Sequence, residues 1–236
     1  MDAAQSLVTV LGAMKGAAMK VGQMLSVIEL ELVPESHREE FRSRLAALRD
    51  QAPRVSFATM RKVIEGDLGR LGAVFTEFDE VPTAAASIGQ VYRARLRDGR
   101  EVAVKVKYPG IDQAVRADMQ NLALVMKLVH TVLPSANSAM VDEIVRNFES
   151  ELDYRAEAQT QHFVAAQYRD HPLIVVPDSV VEYCTPHVLV TEYVDGIGFE
   201  QMRALPTAER NRIGELIYRF YIGSMFRHNE FCGDPH

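Results

Sequence analysis

The sequence predicts an α+β fold in which helices are segregated from one antiparallel sheet. Three observations carry that expectation. Residues 1–73 show apolar side chains recurring at helical spacing, with no strand pattern among them. From Val74 to Tyr108 the pattern changes to short alternating runs separated by turn residues. Beyond Ile111 long helical periods return, interrupted by two short β-branched runs.

The elements follow in order. Residues 4–32 place Leu7, Val10, Leu11, Met14, Ala18, Val21, Leu25 and Ile28 on one helical face, with Lys15 and Gln23 off it. Pro34 interrupts that helix, and residues 35–49 resume the period with Phe41, Leu45 and Leu48. After Pro53 a third helix starts at Ser56 as its N-cap, buries Phe57, Met60, Val63, Ile64 and Leu68, and stops at Gly69 and Gly72. A small-residue loop beginning at Ala84 then leads into a hairpin: a strand at residues 90–96, a tight turn with Asp98-Gly99 at its tip, and a strand at residues 101–106. Helices are expected at residues 111–132 and 141–168, a short buried strand at 173–176 between Pro172 and Pro177, and another strand at 188–194. A last helix at residues 207–226 carries Ile213, Leu216, Ile217, Phe220 and Tyr221 as a wide apolar stripe.

Composition narrows the function. The 236 residues carry a net charge of −6, so no global positive field draws the protein to nucleic acid or anionic lipid. Cys184 and Cys232 have no metal-site spacing, which points to reduced thiols and a cytoplasmic setting. No uninterrupted apolar run reaches the roughly 18 residues of a membrane span.

Four places carry residues suited to chemistry. In the second hairpin strand Val102, Val104 and Val106 share one face, while Ala103 and Lys105 share the other. A lysine beside a small residue, next to a loop that admits a ligand to the backbone, fits a nucleotide whose base lies flat and whose phosphates meet the ammonium. A solvated lysine on an open strand face satisfies the same pattern. Glu149, Glu151, Asp153 and Glu157 crowd the 141–168 helix, with Asp153 and Glu157 one turn apart on one face; a solvated acidic surface is the plain alternative. Glu192-Tyr193-Val194 runs into Asp195-Gly196, as a hinge or as a buried strand meeting its turn. Asp234 lies in a terminal turn, as a base or as turn chemistry.

The order of these pieces resembles a protein-kinase-like fold. Lys20-Val21-Gly22-Gln23, Ala84-Ala85-Ala86-Ser87, Glu151-Leu152-Asp153 with Glu157, and Gly233-Asp234-Pro235-His236 together resemble the ABC1 family of atypical kinases, also called UbiB or AarF. The resemblance implies a helical N-terminal extension at 1–73, a kinase-like N-lobe at 74–194 and the start of a C-lobe at 195–236. It makes Lys105 the phosphate lysine, Glu157 its ion-pair partner and Asp234 the catalytic-loop aspartate. It lays Ala84, Ala85, Ala86, Ser87 and Gly89 over the phosphates, and puts Ala103 against the base. Thr191 becomes the gatekeeper, and Glu192 and Val194 the adenine hinge. Lys20 and Gln23 become regulatory residues of the extension, facing the acidic pair Glu151 and Asp153.

The implied cofactor is ATP or ADP. Magnesium is expected only with a C-terminal portion that supplies the asparagine and the Asp-Phe-Gly of kinases, which do not follow Asp234 before His236. A fragment of a longer protein is therefore expected, without turnover by these 236 residues alone. The family implies support of ubiquinone or other isoprenoid-lipid biosynthesis. Partners would be nucleotide, isoprenoid lipid, quinone-biosynthesis proteins and a membrane surface approached from the cytoplasm. A pseudokinase scaffold that binds nucleotide without transfer is the alternative; a small-molecule phosphotransferase fits the alanine loop and the Lys20–Gln23 motif less well.

Alanine carries a Cβ and takes positive φ only at a cost, so an alanine loop is stiffer than a glycine loop, and only Gly89 is expected to keep that freedom. Ala86→Gly should therefore change affinity for ATP or ADP by calorimetry, and unchanged binding of both would overturn the expectation.

Overall fold

The computed structural model describes residues 55–117 and 152–228. These divide into two units: residues 55–117, 152–159 and 179–192 form the first, and residues 160–178 and 193–228 the second.

The first unit opens with helix α1, Phe57–Leu68. Ser56 is its N-cap in extended conformation, yet its hydroxyl meets the Thr59 hydroxyl at 3.1 Å and caps no backbone N–H. Met60 and Ile64, one turn apart, are buried on the core face. Gly69 ends the helix with φ 79°, a left-handed value that favours glycine. A single turn, α2 (Leu71–Val74), leads directly into β1 (Phe75–Phe78).

Strands β2 (Ala84–Ala86), β3 (Gly89–Leu96), β4 (Glu101–Lys107) and β5 (Val188–Glu192) complete an antiparallel sheet of order β1-β3-β4-β5, with β2 also on β3. The hairpin turn forms as its residues dictate. Gly99 has φ 90°, and the Arg100 N–H donates to Asp98 Oδ1 at 3.0 Å. Val102, Val104, Val106, Val188, Val190 and Tyr92 are sealed from solvent with Met60 and Ile64, forming the core on one face of the sheet. Ala103 and Lys105, on alternate positions, are half-buried.

Four expectations are corrected. The small-residue stretch is a strand: Ala84, Ala85 and Ala86 pair with Val91, Gln90 and Gly89, and Ser87-Ile88 alone make the turn. Consecutive alanines leave extended backbone free to ladder once β3 offers a partner. Gly89 is not among the glycines with positive φ; it is needed because a Cβ there would run into the Val106 carbonyl of β4. The helix expected at 141–168 is broken before Tyr154: Asp153 lies outside it, and α3 spans Tyr154–Tyr168. Asp153 Oδ1 accepts the Arg155 N–H at 2.9 Å, the local bond by which aspartate starts a helix instead of continuing one. Residues 173–176 form no strand, and Val175 is 76% exposed. Pro172 and Pro177 lack N–H groups, and His171 Nδ1 takes the Leu173 and Ile174 N–H groups at 3.2 and 3.0 Å, leaving no ladder.

The second unit holds the remainder of α3, α4 (Phe199–Arg203) and α5 (Thr207–His228). The Tyr168 hydroxyl and Ser224 Oγ lie 2.6 Å apart, Ser224 donates to the Phe220 carbonyl, and the Tyr168 and Phe220 rings are 5.2 Å apart. The stripe at Ile213, Leu216, Phe220 and Tyr221 is half-covered, and Ile217 is exposed. The expected helices at 4–32 and 35–49, and most of that at 111–132, lie outside the described residues.

Gly89→Ala should lower stability by about 1–3 kcal/mol, the usual cost of forcing a methyl into a filled contact. Urea unfolding measures it, and an unchanged midpoint would show that β3 can withdraw from Val106.

Candidate functional site

Strand register assembles the site. Lys105 lies opposite Val91 of β3 and Leu189 of β5, and Val91 lies opposite Ala84 of β2. Directly opposed residues of antiparallel strands share a face, so Ala84, Val91, Lys105 and Leu189 form one row. Arg93, Ala103 and Thr191 form the next row on the same face. The small Ala103 thus stands beside the lysine, with Thr191 next to it.

Helix α3 supplies the counter-charge. Lys105 Nζ donates to Glu157 Oε1 at 2.9 Å and to Oε2 at 3.2 Å, a contact between residues 52 apart in sequence. Their side chains are 28% and 39% exposed, so the pair is open to solvent and contributes only about 0.2–1 kcal/mol to stability. The ammonium also stands 4.6 Å from the centroid of the Tyr154 ring, three residues before Glu157 on the same helix. Tyr154 is sealed from solvent, and its hydroxyl finds no hydrogen-bond partner among the described residues. Burial first, then the negative charges of Glu157 and Asp112, push this phenol well above its ordinary pKa, so it stays protonated.

A second cluster escaped the sequence reading. Lys107 Nζ meets Asp112 Oδ1 at 2.9 Å, the Leu152 carbonyl, and the Tyr154 ring at 5.1 Å from its centroid. His187 stands between carboxylates, its Nδ1 3.0 Å from Asp67 Oδ2 and its Nε2 3.5 Å from Asp112 Oδ2. Alternation along β4 gives Lys107 the same parity as Lys105, and that signal could have found it. The aspartate and histidine partners come from distant segments and left no local trace.

The sequence-derived candidates are therefore partly brought together. Lys105, Glu157, Ala103, Thr191, Ala84, Ala86 and Gly89 lie on the sheet and on the helix of the first unit. Ala85 faces the other way, opposite Gln90, and Ser87 is in the turn. Glu192 closes β5, while Val194 belongs to the second unit and is exposed. Asp153 caps α3 and is not stacked on Glu157. Lys20, Gln23, Glu151 and Asp234 lie outside the described residues. Cys184 is buried, and burial pushes its thiol up. Among the described residues no three His, Cys, Asp or Glu side chains gather to hold a metal ion, and no helix is long and apolar enough to cross a membrane.

A lysine on the middle of an antiparallel sheet, paired with a glutamate on the helix packed over it, is the arrangement of the protein-kinase N-lobe. Residues 47–236 match the model of the ABC1 atypical kinase-like domain. The chain belongs to this family. It is 36% identical to the rat atypical kinase COQ8B, mitochondrial, over 98% of this chain and 44% of that protein. It is 34% identical to Protein ACTIVITY OF BC1 COMPLEX KINASE 8, chloroplastic, of Arabidopsis thaliana, over 92% of this chain and 29% of that one. Among solved structures it resembles Rv3197 of Mycobacterium tuberculosis, determined as a complex with erythromycin, at 40% identity and a TM-score of 0.71, covering 99% of this chain and 59% of that chain. The chain thus spans less than half the length of these two curated relatives.

The buried phenols make stability sensitive to alkali. Burial, aided by Tyr108, pushes Tyr92 up to about 12, and burial also raises Tyr108. The unfolded chain releases such protons near pH 10 while the fold retains them. The contribution is present below about pH 10 and is lost as pH rises towards the folded value. Urea midpoints should fall between about pH 9 and about pH 11, and Tyr154→Phe, which keeps the ring under Lys105, should flatten that fall. A pH-independent midpoint would overturn the prediction.

Proposed function

We propose that the Lys105–Glu157 pair binds the phosphates of ATP or ADP in an ABC1-type kinase or ATPase that supports ubiquinone or other isoprenoid-lipid biosynthesis at a membrane surface. The observation that carries this reading is the 2.9 Å contact between Lys105 and Glu157 beside Ala103. The residues fit the group. The ammonium is half-exposed and oriented, ready to exchange solvent for a phosphate oxygen, and the neighbouring methyl side chain leaves room for a flat base. Bound ATP would supply the phosphoryl group.

The protein groups have separate tasks. Glu157 holds the lysine ammonium in one place, so that its charge meets phosphate without a search through rotamers. Thr191 stands as gatekeeper beside Ala103, and the backbone of Glu192 offers hydrogen-bonding groups to the purine edge; Val194 is assigned to the hinge by the family resemblance alone. The Ser87-Ile88 turn at the end of β2 and β3 covers the phosphates, with Gly89 letting its strand lie close to β4. The family resemblance makes Asp234 the group that orients the acceptor hydroxyl, and assigns to Lys20 and Gln23, with the acidic pair Glu151 and Asp153, the restraint of protein phosphorylation. Magnesium ligands would have to come from outside the described residues, and no step here depends on one.

Calorimetry on the full-length protein should give ATP binding that weakens on the order of tenfold or more in Lys105→Met. Equal affinity in that variant would overturn the reading. Magnesium-dependent ATP hydrolysis that disappears in Lys105→Ala and Asp234→Asn identifies an enzyme, whereas binding without hydrolysis identifies a nucleotide-responsive scaffold.

A further inference from the structure

Lys107 is 0% exposed, and the nucleotide reading gives it no task. An ammonium is costly to bury unless each of its three N–H groups finds a partner. Here three partners surround it: Asp112 Oδ1 at 2.9 Å, the Leu152 carbonyl, and the Tyr154 ring. His187 steadies Asp112 from the other side, with Nε2 at 3.5 Å. The lysine backbone is fixed as well, because its N–H donates to the His187 carbonyl at 3.0 Å.

The Leu152 carbonyl lies just ahead of α3, two residues before the helix begins at Tyr154. The other backbone tie at that point, the Tyr154 N–H to the Pro186 carbonyl, is long at 3.4 Å. The charged tie from Lys107 is therefore the stronger hold on the helix entry. Tyr154 then presents its ring to Lys107 and Lys105 together, at 5.1 and 4.6 Å from its centroid. Glu157 follows one turn later on the same face.

We propose that Lys107 is a positioning residue that ties the entry of α3 to β4 and so holds Glu157 against Lys105. In kinases the corresponding pair is made or broken by movement of its helix. A buried ammonium clamped between Asp112 and Leu152 keeps this helix docked before any nucleotide arrives. The consequence for affinity rests on the phosphate-binding reading of Lys105; the tie itself does not.

Two measurements on the full chain test it. The first needs no nucleotide: the side-chain ammonium resonance of Lys105 in the 15N-lysine NMR spectrum, assigned by its absence in Lys105→Arg. It should be retained in wild type and in Lys107→Arg, and lost or shifted towards free lysine in Lys107→Met, which keeps length and removes the donors. The second is a double-mutant cycle on ATP affinity. Lys107→Met should weaken binding about tenfold, and should add almost nothing in a Glu157→Gln background because the two changes break the same link. Losses that multiply would mark a merely structural lysine and overturn the proposal, as would an unchanged Lys105 resonance in Lys107→Met. Should Lys107→Met fail to fold, Asp112→Ala, which removes one of the three partners, must shift the Lys105 resonance in the same direction; no shift overturns the proposal. If wild type binds no ATP, the nucleotide reading falls and the Lys105 resonance alone decides the positioning role.

Discussion

Strand β4 is paired along both edges, and most of the site depends on that constraint. From Val102 to Val106 each residue has a partner in β3 and another in β5, so neither register nor facing can slip without breaking two ladders. A slip of one residue would turn Lys105 into the valine core and put valines towards Glu157. The close approach of Gly89 to the Val106 carbonyl tightens the same arrangement at the end of the strand where the Ser87-Ile88 turn lies.

Charge is placed on this frame in two different ways. Lys105 remains partly in water, where its pairing with Glu157 is worth little as stability and much as orientation. Lys107 is withdrawn from water and must be satisfied on every side, so its partners are drawn in from the helical residues 111–117, from the approach to α3 and from the first residue of α3. Tyr154 joins the two, with one ring under both ammoniums and a phenol that burial keeps protonated. The two lysines, two positions apart on one strand, thus hold opposite relations to solvent because only one of them is covered by the turn into α3.

Local chemistry made much of this readable. The hairpin, its Asp98-Gly99 turn and the alternation of β4 follow from short-range rules, as does the cap-to-glycine span of α1. Where local rules failed, a neighbour had decided. Ala84–Ala86 looks like a loop until β3 lies beside it, and residues 173–176 look like a strand until proline and the His171 ring remove their N–H groups from any ladder. The start of α3 at Tyr154 turned on a single side-chain bond from Asp153, which periodicity averages over.

The sequence by itself determined the family and the sheet's central hairpin, and through the family resemblance it named Lys105 and Glu157 as a pair, since motif order and strand alternation are written in the chain. Only the tertiary structure decided that Lys107 is buried, that Tyr154 lies beneath both lysines, and that Asp67, Asp112 and His187 belong to one cluster. Those facts depend on segments remote in sequence closing on one another. A buried charge cannot be told from an exposed one until the groups that satisfy it are in place.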